Sequence, residues 1–157
     1  MIRLGIFLLI ATSAVAQAPT FPYKPFGVLA DIMAGIMFPN SNTIFDVTKH
    51  APKTAAEWTA VQTSAVLLAE AGNLLLMPGR KKETGGLVPV ETADWKKHVQ
   101  MLVDGAKGVY PAAKAKNPDA VFAACEPLYQ ACFTCHEMYR FCPTCPEAPP
   151  KPPAQKR

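Results

Sequence analysis

At 157 residues, half of them hydrophobic and with a net charge of +4, the chain has room for one domain around one core. Its lysines are scattered (Lys49, Lys53, Lys96, Lys107, Lys114), with one short cluster at Arg80-Lys81-Lys82 that reads as solvated surface. No basic stripe of the nucleic-acid-binding kind is present, so nucleic acid is excluded as a partner.

The chain opens on Arg3, an unbroken apolar run from Leu4 to Ala11, and the small residues Ala14 and Ala16. That order is the order of a secretory signal peptide, residues 1–16, cleaved after Ala16 to leave a mature chain from Gln17 with charge +3. The apolar run falls short of the about 20 residues a bilayer span requires. The mature chain is therefore expected in the periplasm, without stable membrane insertion.

Residues 17–141 are expected to form an all-α domain. From Phe26 to Phe38, Val28, Leu29, Ile32, Met33, Ile36 and Met37 recur with a helical period. Pro39 should kink or interrupt that helix, with Asn40-Ser41-Asn42 recapping a stretch through Ile44, Phe45 and Val47. Thr54-Ala55-Ala56-Glu57 is a capping box, and its helix runs through Trp58, Val61, Ala65, Leu68 and Gly72 to Leu75, before Pro78-Gly79. Residues 80–89, with Gly85-Gly86, read as a polar loop. A third helix starts near Thr92 and buries Trp95, Val99, Leu102, Ala106 and Val109, with Pro111 kinking it or ending its regular part.

Asn117-Pro118-Asp119 supplies an N-cap, a proline at the first helical position and an acid in the first turn. The helix that follows carries Val121, Cys125, Leu128, Cys132 and Cys135-His136 and closes around Arg140, with a kink expected at Pro127. Residues 142–157, rich in proline, are expected to form an extended, poorly ordered tail. Four helices joined by short or moderate loops, with almost no period-two alternation, predict an antiparallel four-helix bundle.

Five cysteines in an exported chain first suggest disulfides. An odd number cannot all pair within one chain, and four crowd into the fourteen residues from Cys132 to Cys145. Cys132-Phe133-Thr134-Cys135-His136 is instead the C-x-x-C-H pattern of covalent c-type haem attachment. Residues three and four apart share a helix face, so both thiols reach the vinyl groups of one porphyrin, and His136 comes under the iron. Export agrees, because bacteria make this attachment outside the cytoplasm. Cys142-Pro-Thr-Cys145 is followed by Pro146 and supplies no second haem ligand; a structural disulfide, with Cys125 as a further candidate, is its expected use. His50 and His98 read as surface residues, with a bis-histidine haem through either as the alternative.

The run Cys132-Phe-Thr-Cys-His-Glu-Met-Tyr-Arg140 resembles the haem helix of the cytochrome c-prime family, CxxCHxxYR or close to it. The order of helices and the tryptophan near the start of the third are similar too. The first helix, Asp31-Ile-Met-Ala-Gly-Ile-Met-Phe-Pro-Asn-Ser-Asn-Thr-Ile-Phe-Asp46, resembles the opening of a six-coordinate, cytochrome c556-like branch. The resemblance implies His136 as proximal iron ligand, with Arg140 beside the proximal face, where its cation raises the potential or holds a propionate. It also implies a sixth ligand from the first helix. Met33, with Met37 as alternative, shares one face there, although a methionine stripe also reads as plain core.

The expected function is a monohaem c-type electron carrier with haem c as cofactor, a redox partner protein, and homodimer formation as in related proteins. The alternatives are a five-coordinate binder of NO or CO and a zinc module built from Cys132, Cys135, Cys142 and Cys145. No nucleophile-base or acid pair marks the chain as an enzyme.

Overall fold

The structure is a computed structural model that describes residues 23–140. The signal-peptide reading of residues 1–16 and the tail at 142–157, with Cys142 and Cys145, lie outside the described residues. Those described form an all-α fold without strands. Its elements are α1 (Leu29–Ile32), a π-helical turn (Met33–Met37), α2 (Phe38–Asp46), α3 (Ala55–Leu75), α4 (Ala93–Lys114) and α5 (Pro118–Tyr139). One antiparallel bridge, Lys81 to Leu87, pinches the loop after α3. No helix among the described residues is long and apolar enough to cross a membrane.

Pro39 does not interrupt the first helix. A proline lacks the N–H and its ring crowds the carbonyl four residues back. The chain absorbs this by widening one turn beforehand, with the Phe38 N–H donating to the Met33 carbonyl, five residues away. The rod then continues as α2. Asn40 and Ser41, expected to cap a new helix, bond backwards instead: Asn40 Nδ2 donates to the Ile36 carbonyl at 2.7 Å and Ser41 Oγ to the Phe38 carbonyl at 3.0 Å.

The local start signals behave as read. Thr54 Oγ1 accepts from the Glu57 N–H while the Glu57 carboxylate accepts from the Thr54 and Lys53 N–H groups. Asn117 Oδ1 accepts from the Ala120 N–H at 3.0 Å. Pro111 and Pro127 sit inside α4 and α5 without ending either helix. Both prolines are exposed, as are Lys107 and Ala123 four residues earlier, so the carbonyls they leave unpaired can be solvated by water.

The core runs along the inner faces of all the long helices. Val61, Ala65, Leu68, Ala71 and Leu75 come from α3, Trp95, Val99, Leu102, Ala106 and Val109 from α4, and Val121, Cys125, Leu128 and Ala131 from α5. Ile44 of α2 is fully buried against them. α4 packs on both α3 and α5, and α2 packs on α3 and α5.

Gly105 lets α4 and α5 approach closely. A Cβ there would lie 2.8 Å from Leu128 Cα and 2.9 Å from its backbone nitrogen, and backbone cannot rotate aside. Gly105→Ala is expected to cost about 2 kcal/mol, net of its better helix propensity, and to lower Tm by roughly 5–10 °C in thermal unfolding followed by circular dichroism.

Arg80 departs from the sequence expectation. Instead of sharing an exposed cluster with Lys81 and Lys82, it is 3% exposed. Its Nη1 donates to the Gly27 carbonyl at 2.8 Å, and its Nε and Nη2 donate to the Leu74 carbonyl at 3.3 and 3.2 Å. It ties the entrance of the first rod to the last turn of α3, whose carbonyls have no partner within the helix. Val88 and Val90 of the same loop are buried too, so the loop is polar only on its outside.

Candidate haem-attachment site

α5 brings the motif to the core. Cys132 and Cys135 fall on the same inward helix face as Val121, Cys125, Leu128 and Tyr139, because all recur at three- or four-residue spacing. Cys132, Cys135 and His136 are half-buried, and neither thiol is in a disulfide. Burial, reinforced by the neighbouring Cys132, pushes the Cys135 thiol up to about 11. Burial also raises Cys132. Both are therefore neutral S–H groups at physiological pH, unlike the low-pKa thiolates of redox catalysts.

His136 titrates below the usual histidine range, first through burial and then through the Arg140 cation. Its imidazole is consequently neutral near pH 7, with one ring nitrogen carrying a free lone pair. Arg140, at the C-cap of α5, is exposed but close enough for its charge to act on that ring.

The end of the molecule that holds the motif is well defined. Trp95, 2% exposed, donates from Nε1 to the Leu75 carbonyl at 2.9 Å. Tyr139 stands edge-on to Trp95 with ring centroids 4.8 Å apart. Together with the Arg80 bridge between Gly27 and Leu74, these contacts gather four chain segments at one end: the start of the first rod, the end of α3, the start of α4 and the end of α5.

His98 is not a plain surface residue. It is half-buried, its Nδ1 lies 3.3 Å from Thr134 Oγ1, and its ring meets Tyr139 edge-on at 5.8 Å. Thr134, between the two cysteines, also donates to the Gln130 carbonyl at 2.8 Å. Sequence reading missed this tie; the spacing of His98 from Trp95, three residues on, was the available signal. His50 is exposed as expected and pairs with Asp46 at 3.1 Å.

Met37 is buried, whereas Met33 is half-buried and packs against the core cluster. Their π-helical turn has α3 as its main neighbour outside its own rod. Among the described residues, no three His, Cys, Asp or Glu side chains converge as a metal-ion site. The other two cysteines of the zinc alternative fall outside the described residues.

Comparison of the chain with protein-family models, with curated proteins and with solved structures gives no match. The donor set suits a covalently held haem: two free neutral thiols one turn apart on an inward face, and beside them a neutral imidazole.

Proposed function

We propose that the chain is an exported monohaem c-type cytochrome that transfers single electrons, folded as an antiparallel four-helix bundle of the cytochrome c-prime kind. The observation that carries this reading is the pairing of Cys132 and Cys135 on the inward face of α5, with neutral His136 directly after them. The helix contacts are compatible with the bundle, since α4 neighbours α3 and α5 and the first rod meets both α3 and α5.

Bound haem c supplies a one-electron iron couple, tuned by axial ligands and burial. Cys132 and Cys135 would hold the haem covalently, each thiol, with its hydrogen, adding to one vinyl group to give a thioether. His136 would hold the iron, its neutral imidazole having a lone pair available without first losing a proton. Arg140 holds positive charge next to that ring, disfavouring the oxidised, more positive state of the site. The His98–Thr134 contact holds one of the two residues between the cysteines.

For the sixth position, Met33 is preferred to Met37 by its height along the first rod. Met33 stands about 9 Å from the Gly27 end, and His136 and Cys132 lie about 5 and 10 Å from the Tyr139 end of α5. Met37 is a turn deeper and already buried in the core. That burial, and the packing of Met33 on the same cluster, favour the second reading, in which both are core and a five-coordinate site binds NO or CO.

Ferric and ferrous absorption spectra distinguish the two. A low-spin ferric spectrum with a weak far-red thioether band is expected, and slow carbon monoxide binding. A high-spin spectrum with free carbon monoxide binding would establish the gas-binding reading instead.

A further inference from the structure

A groove between α2 and α5, which reaches the inward face of α5 at Cys125, has no role in the function proposed above. It encloses about 420 Å³ and is lined by Phe45, Thr48, Phe122, Cys125, Glu126 and Tyr129. Its walls are aromatic and open: Phe122 is 64% exposed and Tyr129 49%, and Phe133, next to Tyr129 outside the groove, 37%. The rings are also ordered against one another, Phe45 edge-on to Tyr129 at 6.3 Å and Tyr129 stacked on Phe133 at 6.0 Å. Along α5, Phe122, Glu126, Tyr129 and Phe133 follow one another at three- or four-residue steps, and the same stripe runs on to Arg140. It thus leads from the groove to Arg140, the C-cap of α5 and the residue before 141–157.

Those seventeen residues have a period of their own. Pro143, Pro146, Pro149 and Pro152 recur every third position, with Pro150 and Pro153 repeating the step beside them. A polyproline II helix has three residues per turn, so in that conformation the four prolines would line one edge. Proline edges of this kind dock in aromatic-lined grooves, because the ordering entropy is small and the rings pack on pyrrolidine faces.

We propose that the proline-rich segment of this same chain folds back along α5 and occupies the aromatic groove, with Lys151 against Glu126. The lengths agree. Glu126 and Phe122 lie about 21 and 27 Å from Arg140 along α5. If about three residues reverse the direction, Lys151 stands about 25 Å back at about 3.1 Å per residue. Lys151 is flanked by Pro149-Pro150 and Pro152-Pro153, so its ammonium reaches the Glu126 carboxylate while the prolines meet the rings. Glu126 already accepts from Gln130 Nε2 at 2.8 Å, which leaves carboxylate acceptor sites for a lysine. Tethering raises the local concentration of the segment to the order of 1 mM, so a free affinity of only about 100 µM leaves the groove about nine-tenths filled. This docking replaces the loose tail expected from composition, and it does not rest on the haem reading.

The test is photo-crosslinking in the full mature protein, with Phe122→p-benzoylphenylalanine on the groove wall. Tyr110→p-benzoylphenylalanine on the outer side of α4 is the control, and circular dichroism checks that each variant is folded. The expected result is a crosslink to residues 147–153 of the same chain, unchanged on dilution and absent from the control. Changing Pro149, Pro150, Pro152 and Pro153 together to glycine should reduce its yield about threefold, as a thirtyfold weaker affinity would. Mixing isotopically labelled and unlabelled chains identifies the occupant. Crosslinks only between copies would make a second copy the occupant and overturn the proposal. So would a tail yield no higher than the control, or one unaffected by the glycine variant, since tethering alone would then account for it.

Discussion

Replacing Cys132 and Cys135 together with alanine is expected to leave a folded protein that is mostly free of haem. On the proposed reading each thiol would supply one carbon–sulfur bond to the porphyrin, and without both the haem would be held by axial ligation and packing alone. Those contacts are reversible, so haem is lost on dilution or extraction. The fold itself should survive, because each substitution removes one half-buried sulfur, a loss of about 1 kcal/mol apiece beside a typical stability of about 5–15 kcal/mol. Haem-to-protein ratio and far-ultraviolet circular dichroism on one preparation check both halves. Unchanged haem content would mean that the thiols are structural. Collapse of the helical signal would mean that their packing matters more than their chemistry.

Met33→Leu is expected to open the sixth coordination position. The substitution conserves volume at a half-buried site, so its packing cost should stay below about 1.5 kcal/mol. The lost thioether should turn the ferric haem high-spin and lower its potential, since sulfur ligation favours the reduced iron. If the sulfur is bound about 99% of the time, carbon monoxide binding in the variant should accelerate about a hundredfold. Met37→Leu, at a buried position, should alter stability and leave the spectrum low-spin. If the two variants exchange these effects, the ligand lies one turn further along the rod. If neither changes the spectrum, both methionines are core.

Features set by neighbours in sequence were legible before the structure. The Thr54–Glu57 box and the Asn117 cap are local hydrogen-bonding patterns, and each starts its helix where expected. The inward faces of α3 and α4 followed from periodicity because their apolar side chains repeat without interruption. The breaks allowed for at Pro39 and Pro111 do not occur. A proline's effect depends on which side of the helix it faces and on whether the preceding turn can widen. At Pro39 the π turn gave way, and at Pro111 and Pro127 exposure sufficed. Arg80 and His98 failed for a related reason: a charged or polar side chain looks like surface until a distant carbonyl or hydroxyl meets it. For Arg80 those partners are Gly27 and Leu74, and for His98 the partner is Thr134.

The candidate site divides in the same way. C-x-x-C-H sits within five consecutive residues, so its chemistry needs no tertiary information. The choice between Met33 and Met37 depends on the rotation and height of one rod against another. The groove beside Phe122 and Tyr129 is less legible still, since it arises only where α2 crosses α5.

The most direct measurement is acid-acetone extraction of the purified mature protein, followed by its mass under denaturing conditions. The predicted result is that haem stays with the polypeptide, that the mass exceeds the mature chain by one haem, and that the pyridine haemochrome is of c type. Haem passing wholly into the organic phase, or one zinc per chain with no haem, would contradict it.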